Sequence, residues 1–272
     1  MKVKLTIVLA ALFFTLLLPY QAESRVAIVG GLTHERVVTA GETYSGVIFL
    51  RNTGEEPEEI KVYQTDFFFF SDGRNVYGEP GKSARSNAGW ITLSPKSAMI
   101  PGNEILTVHY TINVPDNETL TGTYWSMFMV EGIPKGSPEA SQPDKEEPSF
   151  GIKQVFRYGI QMVTHIGDTG SRKLKFLKTK VLREDEKRIL QVDIENSGET
   201  WLRPFLWAEL YDENGSYIGR FEAGRLRTYP DTSVRFRVDL SQVPKGHYKA
   251  LVVADCGGDA VFGATYTLRF EK

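Results

Sequence analysis

The chain has 272 residues, with 32 Lys and Arg against 34 Asp and Glu and a single Cys. A formal charge of −2 with both signs interleaved leaves no basic stripe for nucleic acid. One Cys excludes an intrachain disulfide and any zinc site built from several cysteines.

Lys2 and Lys4 precede an apolar run from Leu5 to Leu18, which Pro19 ends. That run is shorter than the roughly 20 apolar residues that span a bilayer. Ala22 and Ser24 stand at the spacing signal peptidase reads, so residues 1–24 are expected to be a signal peptide cleaved after Ser24. An uncleaved anchor is the alternative. Cleavage removes two Lys and one Glu, and the charge becomes −2 − 2 + 1 = −3. The rest is expected to be exported, to the periplasm or cell surface, with no stable membrane insertion, and is long enough for two ordinary domains.

Beyond the leader, helical periodicity is nearly absent and period-two alternation dominates. Leu106, Val108, Tyr110, Ile112 and Val114 share one face. Leu190, Val192 and Ile194 repeat the pattern, as do Val234, Phe236 and Val238. Turn signals at Asn52-Thr53-Gly54, Pro101-Gly102-Asn103, Asn196-Ser197-Gly198 and Asp212-Glu213-Asn214-Gly215 separate such runs. The predicted class is all-β, with two tandem immunoglobulin-like β-sandwiches.

An internal repeat supports two copies. Leu50-Arg51-Asn52-Thr53-Gly54-Glu55 matches Ile194-Glu195-Asn196-Ser197-Gly198-Glu199. Pro101 and Pro115 are spaced like Pro230 and Pro244, and a Gly-x-Tyr follows each pair. The first copy carries extra residues, placed at Ser71 to Ala88. Phe67 to Phe70 precede them, and alternation exposes two of the four aromatics. Either the inserted loop covers that pair or a partner does.

The Pro-, Ser- and Glu-rich stretch 134–149 resembles a linker, yet the first copy still needs a seventh strand after it. The domains are therefore expected at 25–166, with a mobile loop at 134–149, and at 167–272, with the hinge at Gly167-Asp168-Thr169-Gly170. No nucleophile elbow, phosphate-binding glycine loop or His cluster occurs. The expectation is a non-enzyme without cofactor or metal. Cys256, beside Val252, Val253 and Ala254, is expected to be a buried, inert thiol.

Several stretches resemble the PapD-like periplasmic pilus chaperones, and the archaic chaperone–usher class in particular. They are Leu32-Thr33-His34-Glu35-Arg36-Val37-Val38, Trp90-Ile91-Thr92-Leu93-Ser94-Pro95, Gly122-Thr123-Tyr124-Trp125, Arg157-Tyr158-Gly159-Ile160 and Ala254-Asp255-Cys256-Gly257-Gly258. The resemblance implies a protein partner, a pilus or surface subunit, that takes an edge strand from the seventh strand of the first sandwich. Ile152, Phe156, Tyr158, Ile160 and Met162 would line the donated face. An Arg on the first strand and a Lys on the seventh would hold the subunit's terminal carboxylate. Arg36 matches the first, Gly159 stands at the second, and Arg157 lies one pleat earlier on the same face. Arg36 and Arg157 are therefore the expected anchor, in the cleft between the two domains; the alternative is that each pairs with a local acid, Glu35 or a loop Glu, as an ordinary surface charge. The alternative is an exported or cell-surface immunoglobulin-like structural or interaction protein without chaperone activity.

Overall fold

The computed structural model describes residues 25–134, 137–141 and 155–270. The expected leader, Ile152 and most of the expected loop 134–149 lie outside these residues. The described chain is all-β: no α-helix occurs in it, and no helix is long and apolar enough to cross a membrane.

The first sandwich contains ten strands: β1 (Val26–Val29), β2 (Thr33–Val38), β3 (Thr43–Asn52), β4 (Glu58–Phe69), β5 (Asn75–Gly78), β6 (Ile91–Ser94), β7 (Ser97–Ile100), β8 (Ile105–Asn113), β9 (Gly122–Ile133) and β10 (Arg157–Ile166). One sheet runs β1-β3-β8-β6 and the other β2-β10-β9-β4-β5, with β7 also on β4. The opening segment changes sheets: β1 pairs antiparallel with β3, then β2 pairs parallel with β10. Alternation places Ile48, Leu50, Val108, Ile112, Phe128 and Ile160 inside, where they are almost fully buried.

The second sandwich contains seven strands: β11 (Leu174–Glu184), β12 (Lys187–Asn196), β13 (Phe205–Tyr211), β14 (Tyr217–Arg225), β15 (Ser233–Asp239), β16 (Gly246–Asp255) and β17 (Val261–Phe270). Its sheets run β11-β12-β15 and β14-β13-β16-β17. Leu190, Val192, Ile194, Phe236 and Val238 fill its core, as their alternation predicted.

The sequence repeat returns as one hydrogen-bond pattern used twice. Asn52 Nδ2 donates to Glu56 O at 2.7 Å and Ile100 O at 3.0 Å, while Asn52 Oδ1 accepts from Gly54 N at 2.9 Å. Asn196 Nδ2 donates to Thr200 O at 2.9 Å and Thr228 O at 3.3 Å, while Asn196 Oδ1 accepts from Gly198 N at 3.0 Å. Both side chains are fully buried, so each amide serves main-chain groups that water cannot reach.

The insertion 71–88 folds back on the strand it interrupts. Its strand β5 pairs with β4, and the buried carboxylate of Asp66 accepts from Gly81 N at 3.0 Å, from Ser83 N at 2.7 Å and from Ser86 Oγ. Tyr77 of the insertion packs on Phe67, 5.1 Å between ring centres. The other aromatics meet different cover. Phe68 contacts Trp125, and Phe69 contacts Tyr229 of the second sandwich. Loop and internal partner share the task.

Candidate functional site

The first feature is a strand edge. β10 pairs with β9 from Arg157 to Ile166, but β2 covers its other side only from Gln161 onward. Gln161 N donates to Leu32 O at 2.8 Å, so its main chain faces β2. Main-chain groups alternate sides along a strand, and those of Arg157 and Gly159 therefore face the same way, where no strand among the described residues meets them. The open edge is four residues long, about 13 Å.

The side chains there correct two expectations. Ile160 and Met162 are fully buried in the core of their own sandwich, and Tyr158 packs against that core. They are not on offer to a partner, because the face that alternation selects is the inward face. Phe156, half-buried, immediately precedes β10. Met127 packs over Gly159, so a Cβ there would stand 2.4 Å from Met127 Sδ and the methionine would have to shift.

The expected arginine pair is not formed. Arg36 is opposite Thr164 in the β2–β10 register, seven residues along β10 from Arg157. That separation is about 23 Å. Arg157 instead grips Glu131 with both arms, Nε to Oε2 at 2.7 Å and Nη2 to Oε1 at 3.2 Å. Tyr63 Oη donates to the same carboxylate at 2.9 Å, and Lys61 Nζ lies 3.6 Å away. Burial opposes ionisation of Glu131, but the bonds from Arg157 and Tyr63 and the charge of Lys61 outweigh it and hold the carboxyl below its usual range. Arg157 thus fixes the start of β10.

Arg36 lies over the Tyr44 ring at 5.0 Å, and 3.8 Å from Glu42. It borders a cleft of about 590 Å³ between the two sandwiches. Arg172, Arg203 and Arg225 line the same cleft, as does half-buried Cys256. Arg172 pairs with Asp168, and Arg225 lies over the Phe205 ring at 5.2 Å, but Arg203 has no partner among the described residues. The other cleft acid, Glu35, is held by Arg227 Nη1 at 2.6 Å. The balance is cationic and suits an anion.

Next to the cleft, where His165 and Trp201 line it, the two sandwiches meet in a packed seam. Tyr229 stacks on Trp125 with ring centres 5.1 Å apart at 17°, and its hydroxyl donates to Gln161 Oε1 at 2.9 Å. Thr123 N donates to Glu199 O at 2.8 Å, and Trp201 N to Thr123 Oγ1 at 2.9 Å. Arg85 reaches Glu199 at 3.1 Å. Gly122 makes this approach possible, since a Cβ there would lie 2.1 Å from Glu199 O. His165 is buried in the seam, Nδ1 3.0 Å from Thr123 Oγ1, and burial lowers its pKa against the opposing pull of Glu35. At the connection between the sandwiches, Thr169 Oγ1 accepts from Gly122 N at 3.0 Å.

Sequence reasoning missed this seam. Its one signal was the run Phe67 to Phe70, which had to be covered. Among the described residues no cluster of three or more His, Cys, Asp or Glu could hold a metal.

No family model matches the sequence, and no curated protein matches it. Solved structures do. A chain of the CsuC–CsuE chaperone–tip adhesion subunit pre-assembly complex, from the archaic chaperone–usher Csu pili of Acinetobacter baumannii, is similar at 16% identity and a TM-score of 0.44, covering 90% of this chain and 98% of that one. The E. coli chaperone DraB is similar at 14% identity and a TM-score of 0.39, covering 88% and 96%. The PapD-like domain 7 of human CEP192 is similar at 16% identity and a TM-score of 0.36, covering 55% and 92%. Each is a likeness of fold.

Proposed function

We propose that this chain is an exported, chaperone-like protein without catalytic activity, which holds a partner protein by adding a strand to the open edge of β10. The observation that carries the reading is the main chain of Arg157 and Gly159, which no strand among the described residues meets, immediately ahead of the point where β2 takes over. An added strand would gain main-chain hydrogen bonds there without disturbing the β9 ladder. Phe156 and Tyr158 stand at the mouth of that edge. The cationic cleft supplies a second contact, with Arg36 and Arg203, the latter without a partner among the described residues, suited to a carboxylate such as a partner's chain terminus. In this reading residues 25–166 and 167–272 are the two folding units, and the partner is a pilus or surface subunit.

The test separates main chain from side chain at one position. Arg157→Ala removes the grip on Glu131 alone. Arg157→Pro also removes the edge-facing N–H, at a strand start where Pro is tolerated. Capture of small β-subunits encoded beside this chain, measured after co-expression, should be weaker for Pro than for Ala by about tenfold, the worth of one good hydrogen bond. Equal capture by the two variants would remove β10 as the docking edge. A surface or interaction module without chaperone activity is the second reading, and the burial of Ile160 and Met162 favours it, since they offer no apolar knobs to a subunit.

A further inference from the structure

The turn between β13 and β14 carries the sequence Asp212-Glu213-Asn214-Gly215-Ser216. Asn-x-Ser/Thr is the acceptor signal for N-linked glycosylation. An acidic residue two places ahead of the Asn, as Asp212 is here, completes the longer form that bacterial oligosaccharyltransferases read.

The fold presents this signal openly. Asp212 Oδ1 accepts from Asn214 N at 2.9 Å and Ser216 N at 2.8 Å, and Gly215 N donates to Asp212 O at 3.0 Å. Gly215 supplies the left-handed residue, at φ +81°, that folds the chain back. Asn214, Gly215 and Ser216 are exposed, and the Asn214 amide and Ser216 hydroxyl have no partner among the described residues. The chain has one other such signal, Asn117-Glu118-Thr119, and it differs on both counts. Asn117 Oδ1 accepts from Thr119 N at 2.9 Å and Thr119 Oγ1 at 2.8 Å, and Pro115 occupies the place of the acid.

We propose that Asn214 is an acceptor site for N-linked glycosylation in the folded chain. The donor is an oligosaccharide linked to a lipid pyrophosphate. Asn214 Nδ2 forms a bond to the anomeric carbon, the bond from that carbon to the pyrophosphate oxygen breaks, and the lipid pyrophosphate leaves with the electron pair. Nδ2 gives up one proton to solvent. The site suits a protective role. β14 is an edge strand, and Tyr217 and Ile218 beside the turn are exposed at 58% and 39%. A glycan at the start of such a strand blocks edge-to-edge pairing. The turn lies at the far end of β13 from the cleft, six residues beyond Phe205 or about 20 Å, so the cleft stays clear.

In the cell the modification rests on the export reading, but the test does not. The purified chain from Arg25 onward is incubated with a bacterial oligosaccharyltransferase and its lipid-pyrophosphate oligosaccharide, then weighed intact and mapped by glycopeptide. One glycan mass is expected, on the peptide containing Asn214. Asn214→Gln should abolish it and Asn117→Gln should leave it unchanged. A free Asp-Glu-Asn-Gly-Ser peptide that is glycosylated while the folded chain is not would overturn the proposal. So would transfer to Asn117 instead. The export reading fails separately, if the N-terminus of envelope-derived protein is still Met1.

Discussion

The turn after Asn52 and the turn after Asn196 are built alike and lean on different things. In the first sandwich the carbonyl of Glu55 faces Gly102, where a Cβ would come within 1.9 Å of it. In the second the equivalent carbonyl, Glu199 O, faces Gly122 of the other sandwich at 2.1 Å. The residues ahead of the matched prolines divide the same way. Ile100 is buried in its own core, whereas Tyr229 is buried against Trp125 across the seam. One copy closes on itself and the other closes on its neighbour. A duplicated unit can thus keep its folding device and turn the outward side of that device into an interface.

The largest effects should follow truncation of the two buried residues that precede the matched prolines. Tyr229→Ala should cost about 3–5 kcal/mol at the seam, and Ile100→Ala about 2–5 kcal/mol within the first sandwich. The two should differ in kind. Ile100→Ala should lower the unfolding midpoint of the first sandwich, whereas Tyr229→Ala should split one thermal transition into two. Calorimetry distinguishes them, and a single transition in both variants would break the comparison. Gly102→Ala and Gly122→Ala sharpen it at about 1–3 kcal/mol, the range for overpacking against a fixed neighbour. Gly122→Ala should also raise proteolytic cleavage between the sandwiches, and Gly102→Ala should not.

Much of this was legible in the sequence. Alternation marked the strands, and the repeated Asn-x-Gly marked the two turns, because a buried amide serving main-chain groups is a local device. The site was less legible for three physical reasons. Period two shows that Ile160 and Met162 share a face, but not that the face points into their own core. Register is not written in either strand alone, so nothing local showed that β2 meets β10 only from Gln161 and leaves Arg36 far from Arg157. The cover for Phe69 lies 160 residues away at Tyr229, and no short-range pattern links them.

A smaller effect concerns the seam's acid sensitivity. Burial lowers the pKa of His165 below its ordinary value of 6.5, with Glu35 opposing and Arg227 reinforcing the shift. The unfolded chain therefore binds the proton more tightly. The stability this histidine permits is full above about pH 6.5 and is lost as pH falls toward the folded pKa. His165→Gln should remove that portion, so the variant should lose less stability than the parent between pH 7.5 and 5.5 in denaturant titrations. His34, lowered by burial in the first sandwich, contributes the same sign in both proteins and cancels in the difference. Parallel pH profiles would show that the seam does not hold His165 neutral.

The smallest effect on stability, and the sharpest on chemistry, concerns the cleft wall of the second sandwich. Cys256 lies among arginines, and such a setting often makes a thiolate. Here burial and the neighbouring charge of Asp255 outweigh Arg172 and Arg225, and the thiol is pushed up to about 11 from an ordinary 9.0. At neutral pH that leaves about 100-fold less thiolate than an ordinary thiol has. Labelling by a thiol reagent should accordingly be slow in the native protein and rapid in denaturant, while Cys256→Ser should leave the unfolding midpoint nearly unchanged. The thiol then consumes none of the charge of Arg172 and Arg225. Equal labelling rates in the two conditions would mean that the arginines, and not burial, control this wall of the cleft.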